Sequence, residues 1–132
     1  MLDISAKACR ERFPGGTAAV LATTGTLSTG LYQAVLAAAE VPCLVPDEAE
    51  QAALMRVIYD GVKADAAPEA YRADLAAVTE TMARRGADYF ILGCTELPLA
   101  ADAAGLHVPA VDPTEELAKA AIRWCGYSVK GE

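Results

Sequence analysis

Three groups of residues have side chains that could do chemistry. The first is the run ILGCTELPL, residues 91–99, in which an apolar stretch ends in Gly93, Cys94, Thr95 and Glu96. A thiol becomes a base or nucleophile only when its surroundings favour the thiolate, and a loop leading into a helix N-terminus offers exposed N–H groups that do so. Thr95 and Glu96 stand where they could position or poise it; Glu96 equally fits a solvated loop acid or helix cap. The second is TTGTLSTG, residues 23–30, where Thr24, Gly25 and Thr26 combine hydroxyls with a permissive backbone ahead of a helix, a combination suited to a carboxylate or phosphate. The alternative there is a Ser/Thr-rich helix cap, which accounts for Ser28 or Thr29 and leaves Thr24 and Thr26 unexplained. The segment lacks the GxxxxGK[ST] lysine of a nucleotide-binding P-loop. The third is Lys63 in IYDGVKAD, near the end of an acidic helix, where a lysine ordinarily sits in solvent beside the negative end of the helix dipole.

The remaining soft ligands are sparse. Cys9, Cys43 and Cys125 are scattered without a CxxC pair and read as packing residues, and the one histidine, His107, opens an apolar segment where a structural or exposed role is expected. Reduced thiols and no metal are the expectation.

These groups need a frame. TAAVLAT (17–23), VPCLVP (41–46), DYFILG (88–93) and HVPAVD (107–112) are short apolar runs bounded by Gly, Pro or Asp, the pattern of strands buried on both faces. Between them, Tyr71, Leu75, Val78 and Met82 recur at helical spacing before Gly86. Asp47 and Asp112 each precede a Glu by three residues, and Pro113 follows the second, so a helix starts after the second strand and another after the fourth. Leu54, Ile58 and Val62 give the core stripe of one; Leu117, Ala121 and Trp124 give that of the last. The order implies an α/β fold, a three-layer sandwich with a mostly parallel sheet of about four strands, forming one domain over residues 1–132. Ligands of such sheets bind beyond the carboxyl ends of the strands, where TTGTLSTG, PDEAEQ and GCTELPL all lie.

Composition agrees with a compact domain: 132 residues, 54% hydrophobic and 22% charged. The formal net charge of -7 argues against nucleic acid or an anionic membrane surface as partner and favours a small molecule. The opening MLDISAKACRERF lacks the basic-then-apolar order of a signal peptide, and the uncharged run 18–39 is broken by polar residues, so a cytoplasmic protein is expected.

The ordered motifs VLATTGTLSTGLYQ, LVPDEAEQ, VIYDGVKA, GADYFILGCTELPL and VPAVDPTEELA resemble the second half of the aspartate/glutamate racemase superfamily, most closely its aspartate racemases. That resemblance covers nearly the whole chain. It implies a cofactor-independent isomerase of two similar domains, each giving one catalytic cysteine to opposite faces of an amino acid or related dicarboxylate. By this resemblance Cys94 is the second thiol, Thr24, Gly25, Thr26 and Lys63 hold substrate carboxylates, Thr95 frames the site and Glu96 stands where glutamate racemases carry histidine. The first domain's Cys-Asn-Thr segment and arginine are absent from these residues. The helix of residues 113–127 is then expected to have lost its cover, so that it folds back onto its own sheet, or the chain self-associates or pairs with a missing N-terminal half. Two other functions stay open: a one-cysteine dicarboxylate decarboxylase or isomerase of the same superfamily, and a non-catalytic carboxylate-binding remnant.

Overall fold

The computed structural model describes residues 1–131. Four strands, β1 (Ala18–Leu21), β2 (Cys43–Leu44), β3 (Tyr89–Leu92) and β4 (Ala110–Val111), form one sheet in the order β2-β1-β3-β4. Every neighbouring pair is parallel, with Ala18 facing both Cys43 and Tyr89, and Phe90 facing Ala110. The strands are shorter than their apolar runs, whose flanks serve as loop.

Alternation along the central strands divides the core in two. Ala19, Leu21, Phe90 and Leu92 pack against Leu54, Ile58, Leu75 and Met82 on one side. Ala18, Val20, Tyr89 and Ile91 pack against Cys9, Tyr32, Leu36 and Val111 on the other. All eight residues of β1 and β3 are buried, which is why the strands read as unbroken apolar runs.

The first layer comprises α4 (Glu48–Met55), a π-helical turn (Arg56–Val62), α5 (Arg72–Arg84) and α6 (Glu96–Ala103). Asp47 caps α4 with a reciprocal capping box: its carboxylate accepts from Glu50 N, and Glu50 Oε1 accepts from Asp47 N, both at 2.8 Å. Arg85, just past α5, also donates to the buried Glu50 carboxylate and so joins the two helices. The expected stripe Leu54, Ile58 and Val62 buries its first two members and half-buries the third. Beyond Met55 the backbone changes to π geometry, and Lys63 N bonds to Ile58 O, five residues back.

The second layer holds α1 (Leu2–Arg12) and α3 (Leu31–Ala38), with α7 (Pro113–Trp124) lying against α1. A five-residue helix, α2 (Thr24–Ser28), links β1 to this layer. Asp112 caps α7 by accepting from the N–H groups of Thr114 and Glu115. The core stripe expected on α7 is corrected: Leu117 and Ala121 are exposed and Trp124 is 91% exposed, while Pro113 and Glu116 are the buried residues. The helix ends at Trp124, short of residue 127. Its inward face meets α1 through polar groups, with Arg12 Nη1 3.3 Å from Glu116 Oε1, and its apolar residues face outward. Cys125 is likewise exposed, so only Cys9 of the other thiols is a fully buried packing residue. His107 is exposed and precedes β4.

Candidate functional site

The strand ends create the site. β3 leaves the sheet through Gly93, whose N–H bonds to Leu21 O at 2.6 Å. A Cβ placed on Gly93 would meet that carbonyl at 2.9 Å and the Ala22 methyl at 3.0 Å, so a side chain cannot be accommodated without parting β3 from β1. The close approach sets Cys94, Thr95 and the start of α6 beside the segment that follows β1.

Cys94 is half-buried, and the Glu96 carboxylate two residues on acts on its thiol. Burial raises its pKa most; the N–H groups of Leu97 and Glu96 pull it down, and the charge and hydrogen bond of Glu96 push it up again. The net direction is upward. The N–H groups at the start of α6 do act in favour of the thiolate, but burial and the adjacent carboxylate outweigh them.

Glu96 shifts the other way. Partial burial opposes its ionisation, but its own N–H, the Cys94 thiol, Lys63 and the Thr95 hydroxyl together hold its carboxyl below the usual value. Thr95 Oγ1 donates to Glu96 Oε2 at 3.2 Å, and Lys63 Nζ lies 3.4 Å from Glu96 Oε1. The same ammonium is 4.9 Å from the centre of the Tyr59 ring. Lys63 is thus turned toward the sheet end. The π turn that carries it packs on α6, and Gly61 makes room there: a Cβ would stand 2.6 Å from Tyr71 Cδ1.

At the end of β1, Thr23 caps α2 by accepting from Thr26 N, and its hydroxyl bonds to that of Thr26 at 3.0 Å. This gives Thr26 the capping reason that sequence could not supply. Ser28 and Thr29 donate to the carbonyls of Gly25 and Thr26. Gly25 is exposed at the first turn. Thr24 instead faces α4, where Gln51 Nε2 donates to Thr24 Oγ1 at 3.3 Å and to Ala22 O at 2.9 Å.

Cys94, Thr95, Glu96 and Lys63 therefore form one contiguous cluster. Thr24 reaches its border through Ala22, while Gly25 and Thr26 lie on the adjoining turn of α2. Two contributors were not singled out from sequence. Gln51 stands in the PDEAEQ segment, one turn past its capping Asp47. Tyr32 is buried behind Gly93, its ring edge 3.4 Å from where a Cβ would sit; burial raises its hydroxyl pKa, and the Cys94 and Asp112 charges add to this. A concavity of about 660 Å³ lies elsewhere, between α1 and α3, lined by Lys7, Arg10, Val35 and Ala38 among others. The cluster of Cys94, Thr95, Glu96 and Lys63 lies instead at the open sheet end. Among the described residues no group of three or more His, Cys, Asp or Glu is placed to hold a metal ion, and no helix is long and apolar enough to cross a membrane.

Residues 1–121 match the sequence model of the Asp/Glu/Hydantoin racemase family. The chain belongs to that family. An uncharacterised protein of Pectobacterium carotovorum subsp. carotovorum, encoded in the 3′ region of pnlA, is 38% identical over 107 residues, which are 80% of this chain and 70% of that protein. Among solved structures, the aspartate racemase of Picrophilus torridus superposes with a TM-score of 0.74 at 25% identity, over 98% of this chain and 53% of its own. A Yersinia pestis protein, itself only provisionally described as an Asp/Glu racemase, gives a TM-score of 0.80 at 26% identity over 93% and 54%. The racemase-family chain described here thus spans about half the length of these solved relatives.

Proposed function

We propose that this chain carries one thiol of a cofactor-independent racemase site for an acidic amino acid, aspartate foremost, with Cys94 as the proton-transfer group. The observation that carries this reading is the clustering of Cys94 with Glu96 at the start of α6, where Lys63 Nζ lies 3.4 Å from Glu96 Oε1. A substrate carboxylate competes with Glu96 for the Lys63 ammonium and takes hydrogen bonds from the Thr24–Thr26 segment. Lys63 then shields Glu96 less, the Glu96 carboxylate becomes more basic, and it accepts the Cys94 proton as the thiolate removes the α-proton. The ammonium drawn to the substrate stabilises the charge that develops at the α-carbon. Return of the proton by Cys94 regenerates the starting enantiomer, since one thiol addresses one face; inversion needs a donor on the opposite face. Family membership supports isomerase chemistry, and the half-length match to the solved relatives supports a second unit as the source of that donor.

A one-cysteine decarboxylase is the second reading, because Cys9 is buried on the inward face of α1 and no other thiol joins the cluster among the described residues. It differs by releasing carbon dioxide. The carboxylate-holding part of the proposal is tested by titrating ¹⁵N-labelled chain with L-aspartate: shifts at Thr24, Gly25, Thr26 and Lys63 that saturate together are expected. Shifts confined to α7 contradict it. Weak affinity is expected from so open a surface.

A further inference from the structure

The side-chain amide of Gln51 has a fixed orientation. A backbone carbonyl only accepts, so the nitrogen end must be the one facing Ala22 O at 2.9 Å, and the same nitrogen then donates to Thr24 Oγ1 at 3.3 Å. The opposite end, Oε1, is buried and has no hydrogen-bond partner among the described residues. Here only the donor end is used, and it is used on the residue that borders the cluster.

A threonine hydroxyl has one hydrogen to give and two lone pairs to receive with. Once Gln51 occupies a lone pair, the Thr24 hydrogen is turned away from α4 and is free to donate. We propose that Gln51 is a positioning residue that sets Thr24 as a hydrogen-bond donor, and thereby selects an acceptor-only ligand group, a carboxylate, at the end of β1. The inference rests on the reading of this sheet end as a carboxylate site. It adds a residue, and a direction to one hydrogen bond, that the reading itself does not contain. By bonding Ala22 as well, Gln51 ties the setting of Thr24 to the strand against which Gly93 packs.

The test is a double-mutant cycle on the whole chain, with L-aspartate and succinate as probes and affinity read from chemical-shift titration. Thr24→Val removes the hydroxyl at constant shape, and Gln51→Met removes the donor at similar length. Each single change is expected to weaken both probes about tenfold, the scale of one hydrogen bond to a charged group. The double variant is expected to be no weaker than Thr24→Val alone, because Gln51 acts through Thr24. Gln51→Glu, which places an acceptor against Ala22 O and Thr24, is expected to be weaker than Gln51→Met; well-dispersed amide spectra establish that each variant is folded. Lys63→Met separates the two levels. If Lys63→Met weakens binding while Gln51→Met does not, or if the two losses at Gln51 and Thr24 multiply, the positioning role is overturned and the carboxylate site stands. If the unaltered chain binds neither probe, or Lys63→Met binds both as well as the unaltered chain, the carboxylate site fails and the role of Gln51 with it.

Discussion

Lys63 and Glu96 meet across two elements, the end of a π turn and the first residue of α6, with Nζ and Oε1 3.4 Å apart. Both side chains are partly exposed, so the pair contributes little to stability. Its importance is electrostatic, because the Glu96 carboxylate it stabilises is the one whose charge raises the Cys94 pKa.

Removing that charge must move the thiol. Glu96→Gln is expected to lower the Cys94 pKa toward the ordinary thiol value while leaving it elevated, since burial is the larger cause and persists. The rate of Cys94 alkylation against pH measures this, in a Cys125→Ser background because Cys125 is the exposed thiol. A midpoint that rises in Glu96→Gln contradicts the assigned contact.

Stability should decline in alkali. Burial is the leading cause that raises Cys9, Cys43, Cys94, Tyr32 and Tyr89 above their ordinary pKa values. Folding therefore favours their neutral forms, and that contribution is complete below the unfolded values, about 8.5 for a thiol and about 10 for a phenol, and is lost as pH rises through the folded ones. Glu96 has the opposite sign: its depressed value contributes stability above about 4.3 that is lost as pH falls. Urea midpoints at pH 7, 9 and 10.5 are expected to fall in that order; a midpoint unchanged to pH 10.5 contradicts the burial of these acids.

Two glycines hold the cluster in place by leaving space. Gly93→Ala drives a methyl against the Leu21 carbonyl and the Ala22 methyl, and Gly61→Ala drives one into the Tyr71 ring. Each is expected to cost about 1–3 kcal/mol by overpacking. Gly93→Ala should be the worse, because backbone must yield there, whereas the Tyr71 ring can shift. Denaturant midpoints read both, and a neutral Gly93→Ala contradicts the packing described for the strand exit.

The outward face of α7 carries Leu117 and Ile122, with Trp124 and Tyr127 at and beyond its end. Leu117, Ala121 and Trp124 share one side of the helix by their spacing, and exposed apolar residues so arranged promote association. Trp124 is the chain's one tryptophan, so its emission is expected to shift to the blue as concentration rises, and Leu117→Asp is expected to abolish the shift. Red-shifted emission independent of concentration contradicts self-association through this face.

Much of the frame was legible because burial on both faces writes itself into β1 and β3 as unbroken apolar runs, and because Asp47 and Asp112 cap through short-range chemistry. α1 was not legible: its inward face consists of Ser5, Ala6, Ala8 and Cys9, too small to mark a hydrophobic stripe. The π turn was hidden because Leu54 and Ile58 keep the four-residue spacing of an α-helix. On α7, periodicity reported an apolar face but could not say whether the chain itself covers it. Cys94, Thr95, Glu96 and Lys63 were recognisable as chemistry-bearing residues and do come together. The direction of the Cys94 pKa was not recognisable, since it depends on how deeply the thiol is buried, and neither was Gln51, whose role rests on contacts with Ala22 and Thr24, more than twenty residues away in sequence.

Proton transfer by Cys94 is tested most directly by incubating L- and D-aspartate separately with the chain in D₂O, following the α-proton by NMR and the enantiomers by chiral chromatography. Slow loss of the α-proton from one enantiomer with its configuration retained is expected, and Cys94→Ala is expected to abolish it. Exchange that survives Cys94→Ala, or rapid interconversion of both enantiomers by the monomeric chain, contradicts a site in which this one thiol works one face of the α-carbon.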